Sequence, residues 1–391
     1  MIQTHFDRAV GVTNIYRAKA ESILARFPDA ADVVSYVAAE MLTHIADQRT
    51  LSMGEMSAVL ERLVDREIVR RRHLPYAEII QEIERSGFHR QLAMLTGSSG
   101  ASSLSVTYAQ AWHMRRFQDS GERVYEVSPG LASRLVRTRL TGLTTDNLCD
   151  TAILPYESIY IAIPPEAGLV VENIDSGTHP VEGMYVTRDS MLGIPAWRIM
   201  VIGSPKDGNV YDDAIFHFIL PLPTGVALDV ALDAEHGRIM GRISNGGIFN
   251  EAEKKCIDLM PGFFRFAMNT VFYATSADAR RREGWNHPHA ARLIEQAAKH
   301  KKGTHKGDRA RAALKAAQLR SRTFLGDGLP VLTSAGSSGS HGPLIVRTLV
   351  EGHWRNQAHG PRHSLRKLIF IEPFWRGPED APESIPTHVL R

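Results

Sequence analysis

The sequence predicts an α+β fold: an N-terminal helical region, a central mostly antiparallel sheet with a core helix, a basic helical linker and a C-terminal β-hairpin. Three observations predict it. Apolar residues recur at helical spacing between about Thr13 and Arg90. From Val124 to Leu232, short runs rich in β-branched and aromatic residues are separated by Gly, Pro, Asn and Asp at hairpin intervals, without long helices between them. That pattern favours an antiparallel sheet over a doubly wound one. A strongly basic, alanine-rich stretch then precedes a last pair of strand-like runs. The boundaries expected from these textures are residues 1–95, 104–276, 277–333 and 343–391.

In the first region, NIYRAKAESILARF, DAADVVSYVAAEMLTHIA, TLSMGEMSAVLERLVDREI and PYAEIIQEIERSGF each carry an apolar stripe. Pro28, Asp29, Ser52 and Pro75 supply breaks and caps. TGSSGASS, from Thr96, reads as flexible punctuation, because no lysine follows at phosphate-loop spacing. VYEV then predicts a strand and Pro129 opens a helix. SIYIAI, GLVVENI, GMYVTRD, AWRIMVIG, AIFHFILPL and VALDVAL predict strands. Asn250 predicts an N-cap, with Glu251 and Glu253 in the first turn where the helix dipole favours them. Cys256, Met260, Phe263, Phe264, Ala267, Val271 and Phe272 form the buried stripe of that helix, with an interruption expected at Pro261–Gly262.

Charge is distributed unevenly. Between Arg280 and Arg322, thirteen Lys/Arg stand against three Asp/Glu, a net of +10 in a chain of net +3, so the remainder is acidic by seven. This is the pattern of a polyanion-binding segment on a mildly acidic body. Two helices are expected there, His287–His300 and Gly307–Arg322, either as a solvated linker or as a nucleic-acid or ribosome contact. Two distant cysteines exclude a disulfide scaffold and a cysteine-rich zinc site. No apolar run is long enough to span a membrane, and the first residues carry no secretory pattern, so a cytoplasmic setting is expected.

The terminal module reads as two strands, PLIVRTLVEGHW and HSLRKLIFIEPFWRG, joined by the loop RNQAHGPR. Three uses of it stay open. His353, His359 and His363, with Arg355, could perform acid–base chemistry on RNA without a metal. Trp354 and Trp375 could stack on bases while arginines hold phosphates. The same tryptophans could instead be anchors that pack the hairpin on the sheet. The RNA or ribosome contacts expected are Arg280, Arg281, Arg282, Lys301, Lys302, Lys306, Arg309, Arg311, Arg347, Trp354, Arg355, Arg362, Arg366, Trp375 and Arg376. His359 and His363 lie four apart, but Gly360 and Pro361 oppose the helix that would make them a metal pair, and no metal or cofactor is expected.

Three segments carry a family resemblance: LPYESIYIAI (Leu154–Ile163), LMPGFFRFAMNTVFY (Leu259–Tyr273) and LIVRTLVEGHWRNQAHG (Leu344–Gly360). The last, with Gly352-His353-Trp354, is the most specific. The chain resembles the phage and plasmid family of the type V-A anti-CRISPR protein that blocks accumulation of its target effector nuclease, although Glu351 stands where a basic residue is expected. The resemblance implies recognition of a nascent N-terminal peptide at the ribosome, followed by loss of the encoding mRNA. It implies two further features, a sheet edge that takes an extended peptide and basic parts that engage ribosome or RNA. The alternative is a metal-independent, toxin-like endoribonuclease acting through the His/Arg cluster.

Overall fold

The computed structural model describes residues 4–6, 70–71, 74, 76–85, 101–150, 154–173, 176–191, 193–204, 214–245, 250–317, 319–332, 347–378 and 383–384. Of the expected N-terminal helices, PYAEIIQEIERSGF is borne out by α1 (Tyr76–Arg85); the others lie almost wholly outside the described residues. Ala101–Ser103, expected as punctuation, instead open a long helix, α2 (Ala101–Asp119).

The centre is a mixed sheet. Its elements in chain order are β1 (Val124–Val127), α3 (Pro129–Leu135), β2 (Thr138–Arg139), α4 (Thr145–Cys149), β3 (Ser158–Ala162), β4 (Val170–Asn173), β5 (Gly177–Met191), β6 (Ile194–Gly203) and β7 (Ile215–Pro221). Helices α5 (Leu228–Ser244) and α6 (Glu251–Thr275) follow, then β8 (Arg281–Trp285), α7 (Ala290–Lys299), α8 (His305–Ala316) and β9 (Ser321–Leu325). The strand order is β7-β6-β5-β3-β1-β9-β8, with β4 paired to β5. Pairing is antiparallel throughout, except that β1 runs parallel to β3 and to β9.

Alternation along the strands gives the sheet two different faces. Ile159, Ile161, Met184, Val186, Ile199 and Val201 join the larger core with Phe263, Phe264 and Phe266 of α6. Tyr160, Tyr185, Met200 and Ile202 face the other way and pack with Phe6 and with Phe117 of α2. The α6 cap is as expected: Asn250 Oδ1 accepts from the Glu253 N–H at 2.8 Å, and the Glu253 carboxylate accepts from the Asn250 N–H at 2.8 Å. No break occurs, and the helix continues through Pro261. Burial of Met260, Pro261, Phe263 and Phe264 on the sheet offsets the one backbone hydrogen bond that proline removes.

Two other expectations are corrected. VALDVAL is not a strand, because Leu228 to Leu232 begin α5. Leu228, Ala231, Leu232, Glu235 and Ile239 recur at helical spacing, a longer pattern than the β-like run suggested. Nor is the basic segment only helices and linker. It enters the sheet through β8 and leaves through β9, so Arg320 and Arg322, expected in a helix, flank and occupy a strand. Both are buried in ion pairs, with Glu122 and Glu126 respectively.

The terminal module comprises β10 (Arg347–Val350), β11 (Gly352–His359), β12 (Leu365–Ile371), β13 (Phe374–Arg376) and β14 (Glu383–Ser384). It is a hairpin, as expected, but most of RNQAHGPR belongs to β11, and the turn is confined to Gly360–Ser364. β10 pairs with β13 and β11 with β12, and the register is kept across the interruption at Glu351–Gly352 and Glu372–Pro373. Beside that interruption β11 runs parallel to β2. A Cβ on Gly352 would stand 2.6 Å from Thr138 Oγ1 and 2.8 Å from Pro373 Cδ, so the close approach there requires glycine.

Candidate functional site

The three segments that carry the family resemblance meet in space. The first forms β3 in the middle of the sheet, and the second is the half of α6 that packs on it. The third docks on that helix. Trp354 is buried against Phe272 and Phe370, with ring centroids 5.6 and 5.1 Å away. Its indole N–H donates to Asn269 Oδ1 at 2.8 Å, and Asn269 Nδ2 donates to the carbonyls of Leu135 and Thr138. One buried amide therefore joins helix, hairpin and the β2 turn. Arg134 adds a second tie: its Nε donates to Glu372 at 2.8 Å and its Nη1 to the Gly130 and Pro330 carbonyls.

This geometry corrects part of the expected RNA surface. Trp354 and Trp375 are each 4% exposed, and Arg347 lies buried with its guanidinium 5.4 Å from the Trp375 ring. These three are interior groups of the module and present no face to a base or phosphate. The anchor reading of the tryptophans is the one the structure adopts. Of the expected contacts and candidate histidines in the module, the exposed ones among the described side chains are His353, Arg355, His359, Arg362, Arg366 and Arg376. Arg139, next to His353 in register, pairs with Glu351, which explains an acidic residue at that position.

His353 and His359 are not assembled as an acid–base pair. His353 and His359 share one face of β11 but stand six residues apart, roughly 20 Å along a strand. A general acid and base acting on one phosphate must both reach it within hydrogen-bond range. His363 belongs to the turn, and its side chain lies outside the described residues. Among the described residues no group of three or more His, Cys, Asp or Glu is placed to hold a metal ion.

The basic segment forms the second surface. Lys301 and Lys302 lie in the loop between α7 and α8; Lys306 and Arg309 lie on α8; all four are exposed. Arg311 is half-buried and instead closes the helical hairpin, donating to the Gly307 and His300 carbonyls. Arg280 and Arg281 are exposed at the start of β8, with Arg281 donating to the last turn of α6 through the Ala274 carbonyl. Arg282 pairs with Asp327 and lies over Phe324. Lys367 of the hairpin reaches Asp278, two residues before Arg280, at 3.3 Å. The two basic surfaces therefore adjoin at that point.

The expected site did not include Trp285. It is 43% exposed, whereas Trp112, Trp197, Trp354 and Trp375 are buried. The available signal was its position inside the +10 segment, next to three arginines.

On the opposite face of the sheet α2 covers a buried polar cluster. His113 Nδ1 bonds with Thr187 Oγ1 at 2.9 Å, and its ring lies 5.2 Å from that of His217. Arg198 and Asp189 form a buried ion pair beside them. Burial, then His217 and Arg198, hold His113 well below the usual histidine range. Burial and then Arg198 push His217 down to about 3. Both are neutral structural groups at physiological pH.

Residues 125–377 match the model of the AcrVA2-like family, the anti-CRISPR type V subtype A2 family. A crystal structure of AcrVA2 aligns over 92% of this chain and 98% of that chain, at 12% identity and a TM-score of 0.38, values that carry no structural argument alone. No curated protein matches. The family match spans more than half of the sequence, including the Gly-His-Trp motif with its buried tryptophan and the helix that receives it; the chain belongs to the anti-CRISPR type V subtype A2 family.

Proposed function

We propose that this protein recognises the nascent N-terminal peptide of a target, a CRISPR effector, at the ribosome and causes loss of the target's mRNA. The observation that carries this reading is the contrast between the two ends of the central sheet. At one end β7, IFHFILP, has no Asp, Glu, Lys or Arg, and no strand pairs with its outer edge among the described residues. Such an edge suits an extended peptide, which adds backbone hydrogen bonds while alternate side chains give specificity. At the other end β8, RREGW, is basic and leads into the lysine-bearing hairpin of α7 and α8. That end suits the phosphates of ribosomal or messenger RNA. Peptide and RNA would then bind at opposite edges of one sheet without competing. Family membership supports the anti-CRISPR context. The setting is the cytoplasm of the bacterial host.

The test is a reporter bearing the effector's first codons, co-expressed with this protein. Synonymous recoding is expected to leave repression of the mRNA intact, and changing the encoded peptide is expected to abolish it. Escape by synonymous recoding alone would refute peptide recognition.

A further inference from the structure

A solitary exposed tryptophan is an ordinary surface feature. Trp285 is not solitary. It ends β8 directly opposite Ser321, the first residue of β9. Ser321 Oγ accepts from Arg123 Nη1 at 2.6 Å, and Arg123 immediately precedes β1. The Arg123 guanidinium stands 5.2 Å from the ring of Tyr156, two residues before β3. Arg123, Ser321 and Trp285 stand in register across β1, β9 and β8, and the half-buried Tyr156 extends this row through the Arg123 guanidinium, three residues before Ile159, the β3 residue in register with Arg123. Two strand spacings separate Arg123 from Trp285, roughly 10 Å.

The centre of the row is polar and partly exposed. Glu283, on the same face as Trp285, accepts from Thr323 Oγ1 at 2.9 Å and lies 3.9 Å from Arg123. Five residues after Trp285 the chain enters α7, and the exposed Lys301, Lys302, Lys306 and Arg309 follow. Aromatic rings beside an arginine, followed along the chain by an exposed basic hairpin, are what unstacked bases require. A duplex would need only the phosphate surface.

We propose that the Tyr156–Arg123–Ser321–Trp285 row is a base-stacking platform for single-stranded RNA, with the backbone of that RNA held by the lysines and arginine of the α7–α8 hairpin. This rests on the reading of the basic segment as an RNA contact and adds the class of RNA it takes. Glu283 gives the platform an acceptor for a base N–H donor.

The experiment uses the full-length chain and a fluorescein-labelled single-stranded RNA 12-mer, with binding read by anisotropy across a salt series. Trp285→Ala is expected to weaken binding about 10-fold while leaving the salt slope unchanged. Trp285→Phe is expected to retain most of the affinity. Lys301→Glu with Lys302→Glu is expected to flatten the slope. If Trp285→Ala binds like the unaltered chain while the lysine variant does not, the platform is wrong and the RNA contact stands. If the unaltered chain binds no RNA, both fall. Preference for a hairpin duplex over the 12-mer, or loss in Trp285→Ala of binding to the effector's N-terminal peptide alone, would also overturn the platform.

Discussion

The terminal hairpin and the β8 edge both combine tryptophan with arginine, and they use the combination in opposite ways. In the terminal hairpin, Trp354 and Trp375 are buried and Arg347 is enclosed beside Trp375. At the β8 edge, Trp285 is exposed with Arg281 and Arg282 on the same short strand. The difference is one of sheet position. β11 lies between β12 and β2, with one face against α6, so its inward residues become core. Among the described residues β8 is an edge strand and no helix covers Trp285, so the same residue type stays on the surface. Residue type states what a side chain could do; the covering of the strand decides whether it can reach a partner.

The contrast predicts a steep gradient of stability effects. Trp354→Ala removes a buried indole and leaves Asn269 Oδ1 without its donor, so a loss of about 3–5 kcal/mol is expected in urea unfolding. A loss under about 1 kcal/mol would show that the hairpin is not anchored this way. The histidines repeat the contrast, since His353 and His359 are exposed while His113 and His217 are enclosed under α2. The folded-state pKa values of the enclosed pair are lowered, so the unfolded chain takes up protons first. Their contribution is complete above pH 6.5, the ordinary histidine value, and is lost as pH falls below it, for His217 until about 3. Each pH unit in that window costs up to about 1.4 kcal/mol per histidine, less for His217, which keeps some access to solvent. Thermal unfolding between pH 7.5 and 5.5 measures this, and His113→Gln should flatten the profile. The smallest effect is expected at Trp285, where replacement by alanine should change stability by less than about 0.5 kcal/mol. A larger loss would place Trp285 in the core and remove the contrast.

Much of the fold was legible because it rests on local patterns. The Asn250 cap, the apolar stripe of α6, the helix at Pro129 and the strands β3 to β7 follow from residues a few positions apart. VALDVAL misled because a short apolar run fits a strand or the first turns of a helix, and Ile239 and the residues after it were needed to decide. The β8 and β9 strands were hidden because their partners lie far away in sequence: β9 adds to β1 across about 200 residues. RREGW and SRTFL lack the apolar alternation that marks a strand facing a core.

The candidate site divided along the same line. The excess of charge between Arg280 and Arg322 is a property of composition, and the exposed Lys301, Lys302, Lys306 and Arg309 follow it. Which cations are spent internally was not legible, since Arg320 and Arg322 meet Glu122 and Glu126 only through strand pairing. Gly352-His353-Trp354 could be recognised as a mark, while its reason is spatial: glycine for the approach of β2 and Pro373, tryptophan for Asn269. The sequence by itself determined most of the elements, the charge asymmetry and the family, because periodicity, capping and motif are written over short distances. Only the tertiary structure decided which tryptophans are anchors and which one is free to touch a partner. That depends on which strands and helices cover each side chain, and covering is set by contacts between residues far apart in the chain.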